Sequence, residues 1–295
     1  MNVAIAERAR ANEALTPAEL DELLTVDVLT LGMLADEVRR ARLGDEVSFT
    51  RVLEIAGPAG AAGATGATGA TGAEVRITTL PDTLDDAEGV IAEARMLAGP
   101  QLLTGFSLAD IVDRNWGDVV TVLKRLQRAG LDAIAEAQVD RVADITVYKA
   151  TQDAGLPIRC LSLQKPVTGS RTDYVLTVRS IIQAVPSIRA VAPLPREQSI
   201  AVPTTGYDDV RAVALARLGL PMVKNIQVDW AQYGPKLAQV ALTFGANDLD
   251  RVSTSDDESL GRRRTSIEDV KRNIAAAGFT PVESVPSSPA RGIAS

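Results

Sequence analysis

Apolar residues recur at helical spacing in two segments near the start of the chain. Thr16 precedes Pro17 and Glu19, an order that is typical of a helix start, and leucines then follow every three or four residues. A second apolar run of the same period ends in a basic turn before Gly44, a residue that commonly ends helices. The pattern predicts two amphipathic helices, and we assign residues 1–46 to an N-terminal helical arm.

Strand-like and helical segments alternate through the remainder of the chain. The first strand-like segment, EVSFTRVLEI, predicts a strand over residues 47–55, and QLLTGFS, PIRCLSLQ and KNIQVDW are later examples. Regular β-α-β-α order predicts parallel strands joined by right-handed crossovers. The number of units favours a TIM-like (β/α) barrel, in which function normally lies on the loops that follow the strands.

A glycine stands at every third position from Gly57 to Gly72. The run is too short and too poor in proline for collagen, and it lacks the lysine and the spacing of a phosphate-binding loop. We interpret residues 56–74 as a low-complexity Gly-x-y linker. Residues 75–285 then form the rest of the barrel, and residues 286–295 have the composition of a disordered tail.

Composition and charge restrict the classes of partner. The chain has 295 residues, of which 46% are hydrophobic and 23% are charged, which suits one large α/β domain with an appendage. Its formal net charge of −7 argues against binding to nucleic acid or to an anionic membrane surface. We find no apolar run long enough to span a bilayer and no secretory signal pattern, so we expect a cytoplasmic protein.

The chain has one cysteine, Cys160, and no histidine. This excludes disulfides within the chain, thiolate zinc sites and histidine-based acid–base catalysis, and we see no acidic cluster for a metal ion. Cys160 on its short strand is best explained as a small core residue, and the alternative is an intermolecular metal or redox contact. Any chemistry must come from carboxylates, amides and hydroxyls.

Several segments between Leu102 and about Val282 resemble a known family. They include GFSLADIVDR and, most specifically, NIQVDWAQYGPKLAQVALTFGANDLD. They are similar to radical SAM enzymes of the futalosine route to menaquinone, aminofutalosine synthase and cyclic dehypoxanthine futalosine synthase, with the deazaflavin-cofactor synthases close by. The resemblance implies a barrel of radical SAM type, in which three cysteines of a C-x-x-x-C-x-x-C loop hold a [4Fe–4S] cluster that binds S-adenosylmethionine.

In that family, the cysteine loop follows the strand that corresponds to EVSFTRVLEI, and here the Gly-x-y linker stands in its place. We therefore expect an incomplete barrel that lacks a βα unit and uses no cofactor. The family's glycine-rich acidic loop is replaced by AEAQVDRV, in which Glu136 is the candidate to take over the role of its acidic residue. Missing units would expose strand edges, so we expect association with another chain.

Six residues are candidates for ligand binding, and none is assigned as catalytic. Three end the strand KNIQVDW at the expected functional rim, where an acid with two aromatic rings can bind a polar planar ligand or the rings can simply plug the barrel. Two follow an apolar helix and serve either as a helix stop or as polar groups at the same rim. The full set is Asp229, Trp230, Tyr233, Asn247, Asp248 and Glu136.

The resemblance leaves several functions open. We expect a non-catalytic protein that pairs with an intact radical SAM paralogue or with itself, or that binds a nucleoside-derived small molecule. The alternative is an enzyme of futalosine-route menaquinone synthesis that works without a cluster or with a partner chain's help. A third alternative consistent with the resemblance to radical SAM synthases is a decayed gene product without a function.

Overall fold

The computed structural model describes residues 2–56, 74–197, 204–254 and 266–285. Three helices precede the first strand: α1 (Val3–Arg10), α2 (Pro17–Thr25) and α3 (Val28–Leu43). The last two coincide with the two helices expected from the sequence. Helix α2 opens with a complete capping box, in which Thr16 and Glu19 each bind the other's backbone N–H group.

Beyond the arm, parallel strands alternate with helices along the described residues. The elements, in chain order, are β1 (Glu46–Ile55), β2 (Glu74–Ile77), α4 (Leu84–Ala98), β3 (Leu103–Ser107), α5 (Leu108–Asp113), α6 (Val119–Ala129), β4 (Ala133–Gln138), α7 (Ile145–Asp153), β5 (Ile158–Leu163), α8 (Arg171–Ala184), β6 (Ala190–Pro195), α9 (Gly206–Gly219), β7 (Asn225–Asp229), α10 (Trp230–Leu242), β8 (Asp248–Ser253), α11 (Ile267–Ala276) and β9 (Thr280–Ser284).

Strands β1 to β8 form a closed barrel of parallel strands, which confirms the predicted TIM-like (β/α) fold. The expectation that the barrel is incomplete is wrong, because β1 pairs with β8 through Ser48–Val52 and with β2 through Val52–Ile55. This first strand is ten residues long, which lets it bridge both neighbours. We expected association with another chain because an incomplete barrel would expose strand edges, and closure removes that reason. The association itself stays a prediction.

Strand β9 extends the sheet on the outside of the closed barrel. It pairs with Glu46–Thr50 of β1, below the point at which β2 begins to pair with the same strand. Most of the predicted linker and the whole predicted tail, residues 57–73 and 286–295, lie outside the described residues. Their interpretation therefore stays a prediction.

The helical arm and the barrel share one hydrophobic core. Helix α3 packs against α9 of the barrel, and Gly32 of α3 lies directly against the ring of Phe244. A Cβ atom at Gly32 would overlap that ring, so this glycine permits the close approach of the arm. Within the described part of the chain, no helix has the length and apolar character needed to cross a membrane.

Candidate functional site

A cavity of about 340 Å³ lies at the carboxyl ends of the barrel strands. We call it the mouth cavity. Such barrels place their binding residues at this end, because the βα loops converge there. Four guanidinium groups and four carboxylates are among its lining groups: Arg76, Arg141, Arg196, Arg251, Glu54, Asp110, Glu136 and Asp250.

The floor of the mouth cavity is an ion-pair cluster inside the barrel. Arg76 binds both carboxylate oxygens of Asp250 at 2.8 and 3.0 Å, and its Nε donates to Glu74 at 2.8 Å. Thr104 donates its hydroxyl to the same Glu74 oxygen at 2.6 Å. Burial alone would raise the pKa of Asp250, but the charge of Arg76 outweighs burial and lowers that pKa to about 2.

A second chain of charges crosses the upper part of the cavity. Arg196 donates from Nε to Glu136 at 2.7 Å and from Nη1 to Asp229 at 3.1 Å. Arg251 donates from Nη1 to the same Asp229 oxygen at 2.9 Å and binds both oxygens of Glu54 at 2.7 and 3.1 Å. Carboxylates and guanidinium groups thus alternate around the mouth, so each charge has an opposite neighbour.

Irregular strand pairing places Arg196 and Arg251, the two arginines of this series of ion pairs, at the mouth cavity. Between β1 and β8 the register passes from Phe49↔Leu249 to Arg51↔Val252, so β8 carries one extra residue. A bulge of this kind re-aims side chains, and it lets the consecutive residues Asp250 and Arg251 both line the cavity. Arg251 has a left-handed φ of 56°, which few residues other than glycine adopt.

Strand β6 has a comparable irregularity, and Arg196 follows it directly. The pairing with β5 passes from Leu161↔Val191 to Leu163↔Pro195, so β6 carries two extra residues. On the opposite side of the mouth, Phe106 also has a left-handed φ, of 60°. Backbone strain of this kind clusters at functional sites, because only a well-packed surrounding structure can hold it.

The carboxylates of the mouth are suited to binding rather than to proton transfer. Burial would raise the pKa of Glu136, but the nearby Arg196 guanidinium outweighs burial and lowers it. With the pKa of Asp250 at about 2, both groups are ionised near neutral pH. They can therefore hold the positive part of a ligand, and the arginines can hold a negative part.

The structure places four of the six predicted site residues at or behind this cavity. Glu136 lines it, and Asp229 lies one hydrogen bond behind it, where its Oδ1 also caps α10 by accepting from the backbone of Gln232 at 2.8 Å. Trp230 is fully buried in the hydrophobic core, and Tyr233 donates its hydroxyl to the carbonyl of Pro195. The two aromatic rings therefore pack beneath the rim and do not line the cavity. This agrees with the alternative in which they fill the end of the barrel.

Asn247 and Asp248 do not join the others at the mouth, and the prediction that they share its rim is wrong. Asn247 accepts from the backbone N–H of Ile226 at 2.9 Å, near the start of β7, and Asp248 is the first residue of β8. Helix α10 returns the chain to the amino ends of the strands, so residues that follow it lie at the opposite end of the barrel. There Asp248 accepts from Gln227 at 2.7 Å.

The sequence interpretation missed the residues that fill the barrel. A signal for them exists in EVRI and DLDRVS, where charged residues occupy alternate positions of parallel strands. Such strands are normally apolar on both faces, because helices cover one face and packed side chains fill the barrel. Alternating charge therefore indicates a polar barrel interior. The residues missed are Glu74, Arg76, Arg196, Asp250 and Arg251.

Comparison with known sequences finds one family model and several relatives that match parts of the chain. Residues 189–285 match the CofH/MqnC C-terminal region. Over 236 residues the chain is 28% identical to 5-amino-6-(D-ribitylamino)uracil–L-tyrosine 4-hydroxyphenyl transferase of Archaeoglobus fulgidus, covering 68% of this chain and 69% of that one. It is 30% identical over 247 residues to transferase 1 of the same name from Methanosarcina barkeri, covering 69% of this chain and 65% of the relative.

Solved structures share the fold. Methylornithine synthase (PylB) superposes with a TM-score of 0.70 at 13% identity, covering 94% of this chain and 97% of that chain. HydG, a maturase of the [FeFe]-hydrogenase, superposes with a TM-score of 0.67 at 11% identity, covering 95% and 74% of the two chains. The expected relation to radical SAM enzymes is thus supported, whereas the futalosine branch is not singled out among them.

The comparisons overturn the expectation that no cofactor belongs to this chain. The relatives and structural neighbours are of the radical SAM type, which uses a [4Fe–4S] cluster and S-adenosylmethionine. The side chains present do not fit such a cluster, because it needs three thiolates and the chain has only Cys160. That thiol lies beside Ala190 and Ala192, and burial raises its pKa to about 12.

Proposed function

We propose that the mouth cavity binds a free α-amino acid or a larger molecule that carries an amino-acid group. The proposal rests on the alternation of carboxylates and guanidinium groups around the cavity. A ligand of one sign would leave a buried partner unpaired, which costs free energy. A zwitterion can replace both partners of an ion pair at once, because it carries both charges. For example, its carboxylate can bind Arg196 while its ammonium group binds Glu136.

Two named compounds suit this chemistry. The relatives' names include L-tyrosine as a substrate, and S-adenosylmethionine carries a methionine zwitterion. The volume of about 340 Å³ lies in the lower range of small-molecule pockets. S-adenosylmethionine bound there would supply its adenosyl or methyl group to a reaction, while Arg196 and Glu136 would orient its amino-acid end.

The nucleoside-derived ligand of the futalosine route is the second candidate. Its support is the match to a C-terminal region whose description covers both CofH and MqnC. An uncharged nucleoside would leave the pairs of the mouth undisturbed and would bind through the Gln164 amide, which lines the cavity and has no hydrogen bond to Glu136. Its affinity should therefore depend little on Glu136.

Calorimetric titration separates these candidates. We expect L-tyrosine or S-adenosylmethionine to bind, and tyramine and L-tyrosine amide to bind about tenfold more weakly or not at all, because an unpaired charge is left in the site. Glu136→Gln should cause a similar loss. The control is Glu268→Gln, which removes an exposed partner of Lys271 far from the mouth. Tight binding of adenosine alone, unaffected by Glu136→Gln, would refute the zwitterion and support the nucleoside.

A further inference from the structure

Glu136 and Gln138 share one face of β4, because side chains alternate along a strand and the two residues stand two positions apart. Both line the mouth cavity, as does Arg196. Gln138 donates from Nε2 to Oε1 of Glu136 at 3.0 Å, and Arg196 donates to Oε2 of the same carboxylate at 2.7 Å. Both oxygens of Glu136 are therefore held, one by a neutral amide and the other by a charged group.

Ser107 fixes the direction in which the Gln138 amide points. Its hydroxyl donates to Oε1 of Gln138 at 2.6 Å, and its oxygen accepts from the backbone N–H of Asp110 at 3.1 Å. A reversed amide would place Oε1 against the carboxylate of Glu136, where neither group has a hydrogen to donate. The hydrogen bonds therefore run in one direction, and they present an N–H group of Gln138 to Glu136.

Glu136 is the member of this hydrogen-bonded series that a ligand in the mouth can reach most easily. Its side chain is 24% exposed, whereas Ser107 and Gln138 are buried. The ammonium group of a ligand therefore meets the carboxylate of Glu136. The Gln138 amide lies beside that carboxylate and acts on the ligand mainly through it.

We infer that Gln138 is a positioning residue for Glu136, and that it makes the mouth selective for ligands with an ammonium group. This inference rests on the proposed binding of an amino acid. When the carboxylate of the ligand takes Arg196, Glu136 gives up its charged partner, and the N–H group of Gln138 still holds Glu136 in line for the ammonium group. Without this support the glutamate side chain would have to be ordered on binding, which costs affinity.

The test compares L-tyrosine with 3-(4-hydroxyphenyl)propanoate, which is the same molecule without the ammonium group. Gln138→Met keeps the length of the side chain and removes its amide. In calorimetric titration we expect this variant to bind L-tyrosine about tenfold more weakly, the value of one hydrogen bond to a charged group. Its affinity for the propanoate should stay unchanged. A merely structural role of Gln138 would weaken the binding of both ligands equally.

A second measurement needs no ligand. Glu136→Leu removes the acceptor of the Gln138 amide but keeps the amide buried, so we expect NMR to show faster exchange of the Gln138 side-chain N–H hydrogens with water. Gln127→Met is the control for the substitution, because this exposed amide on α6 donates to the carbonyl of Gly155 at 3.3 Å and does not line the mouth. It should leave both affinities unchanged.

The inference is overturned if Gln138→Met weakens the binding of both ligands alike or of neither. It is equally overturned if Glu136→Leu leaves the exchange of the Gln138 amide unchanged. A wild-type protein that binds no amino acid would contradict the proposed function instead, and the exchange measurement would still decide whether Gln138 holds Glu136.

Discussion

Arg251 donates from Nη1 to Oδ2 of Asp229 at 2.9 Å, and Asp229 at the end of β7 lies opposite Asp250, the residue before Arg251 on β8. Arg196, from beyond β6, donates to the same oxygen at 3.1 Å. One carboxylate that is 1% exposed thus holds two guanidinium groups and also caps α10. Asp229 therefore ties together the ends of three neighbouring strands.

Asp229→Asn should lower the free energy of unfolding by about 3 kcal/mol, because it leaves two arginines without their shared, buried countercharge. The asparagine amide oxygen can still cap α10, so the loss of stability measures the contribution of the Asp229 charge. Urea denaturation at pH 7 measures it. The control is Asp208→Asn, at the partly exposed capping box of α9, where we expect a loss below about 1 kcal/mol. Equal losses in the two variants would contradict the assigned role of Asp229.

Arg76→Met should be more damaging still, since it removes the arginine that binds both Glu74 and Asp250 inside the barrel and leaves Glu74 with only the longer contact to Arg159, at 3.5 Å. We expect a loss of about 3–5 kcal/mol. The triple variant Glu74→Gln, Arg76→Met and Asp250→Asn removes every charge of the cluster and should recover much of that stability. Guanidinium denaturation compares the two variants, and a triple variant as unstable as Arg76→Met would show that the loss comes from packing instead.

Asp248→Asn should raise stability at pH 7. Burial raises the pKa of this carboxyl, so the folded state binds its proton more readily than the unfolded state. The wild type therefore loses stability as pH rises from the ordinary aspartate pKa to the raised one, and the penalty persists above it. The advantage of the variant should shrink as pH falls and vanish below about pH 4, near the ordinary pKa of the side chain. An asparagine here can also donate to Gln227 Oε1, which has no partner among the described residues.

Thermal melts between pH 3 and pH 8 follow this effect. Asp118→Asn is the control of opposite sign, because Thr121 hydrogen bonds lower the pKa of Asp118. It should reduce stability slightly at pH 7 and have no effect in acid. A pH-independent difference for Asp248→Asn would refute the titration argument.

Gly32→Ala tests the docking of the arm. Alanine favours a helix over glycine by about 1 kcal/mol, but here the added methyl group overlaps the Phe244 ring, and overpacking costs about 1–3 kcal/mol. We expect a net loss of stability in a thermal melt. Gly89→Ala, in α4, adds the same methyl group where no atom lies within 4 Å, and should stabilise the protein by about 1 kcal/mol. A stabilised Gly32→Ala would mean that the arm does not pack against Phe244.

Local sequence determined the helices and the class of fold. The capping box at Thr16 and the stop at Gly44 act within a few residues, so their pattern can be read directly. The order of strands and helices predicts parallel pairing for the same reason, since short connections leave few other arrangements. Charge alternation in EVRI and DLDRVS also indicates a polar barrel interior, because it too is a local pattern.

Tertiary structure alone decided closure and the composition of the site. Closure depends on which residues of β1 meet β2 and β8, and no local pattern states that register. Arg76 and Asp250 pair across 174 positions of sequence, and the bulge that aims Arg251 is a property of two strands together. Asp248 lies at the opposite end of the barrel from the predicted rim, because it begins strand β8. The sequence did not predict this, since a polar residue after a helix can either end that helix or begin the next strand. Only the packed direction of the chain separates those two possibilities.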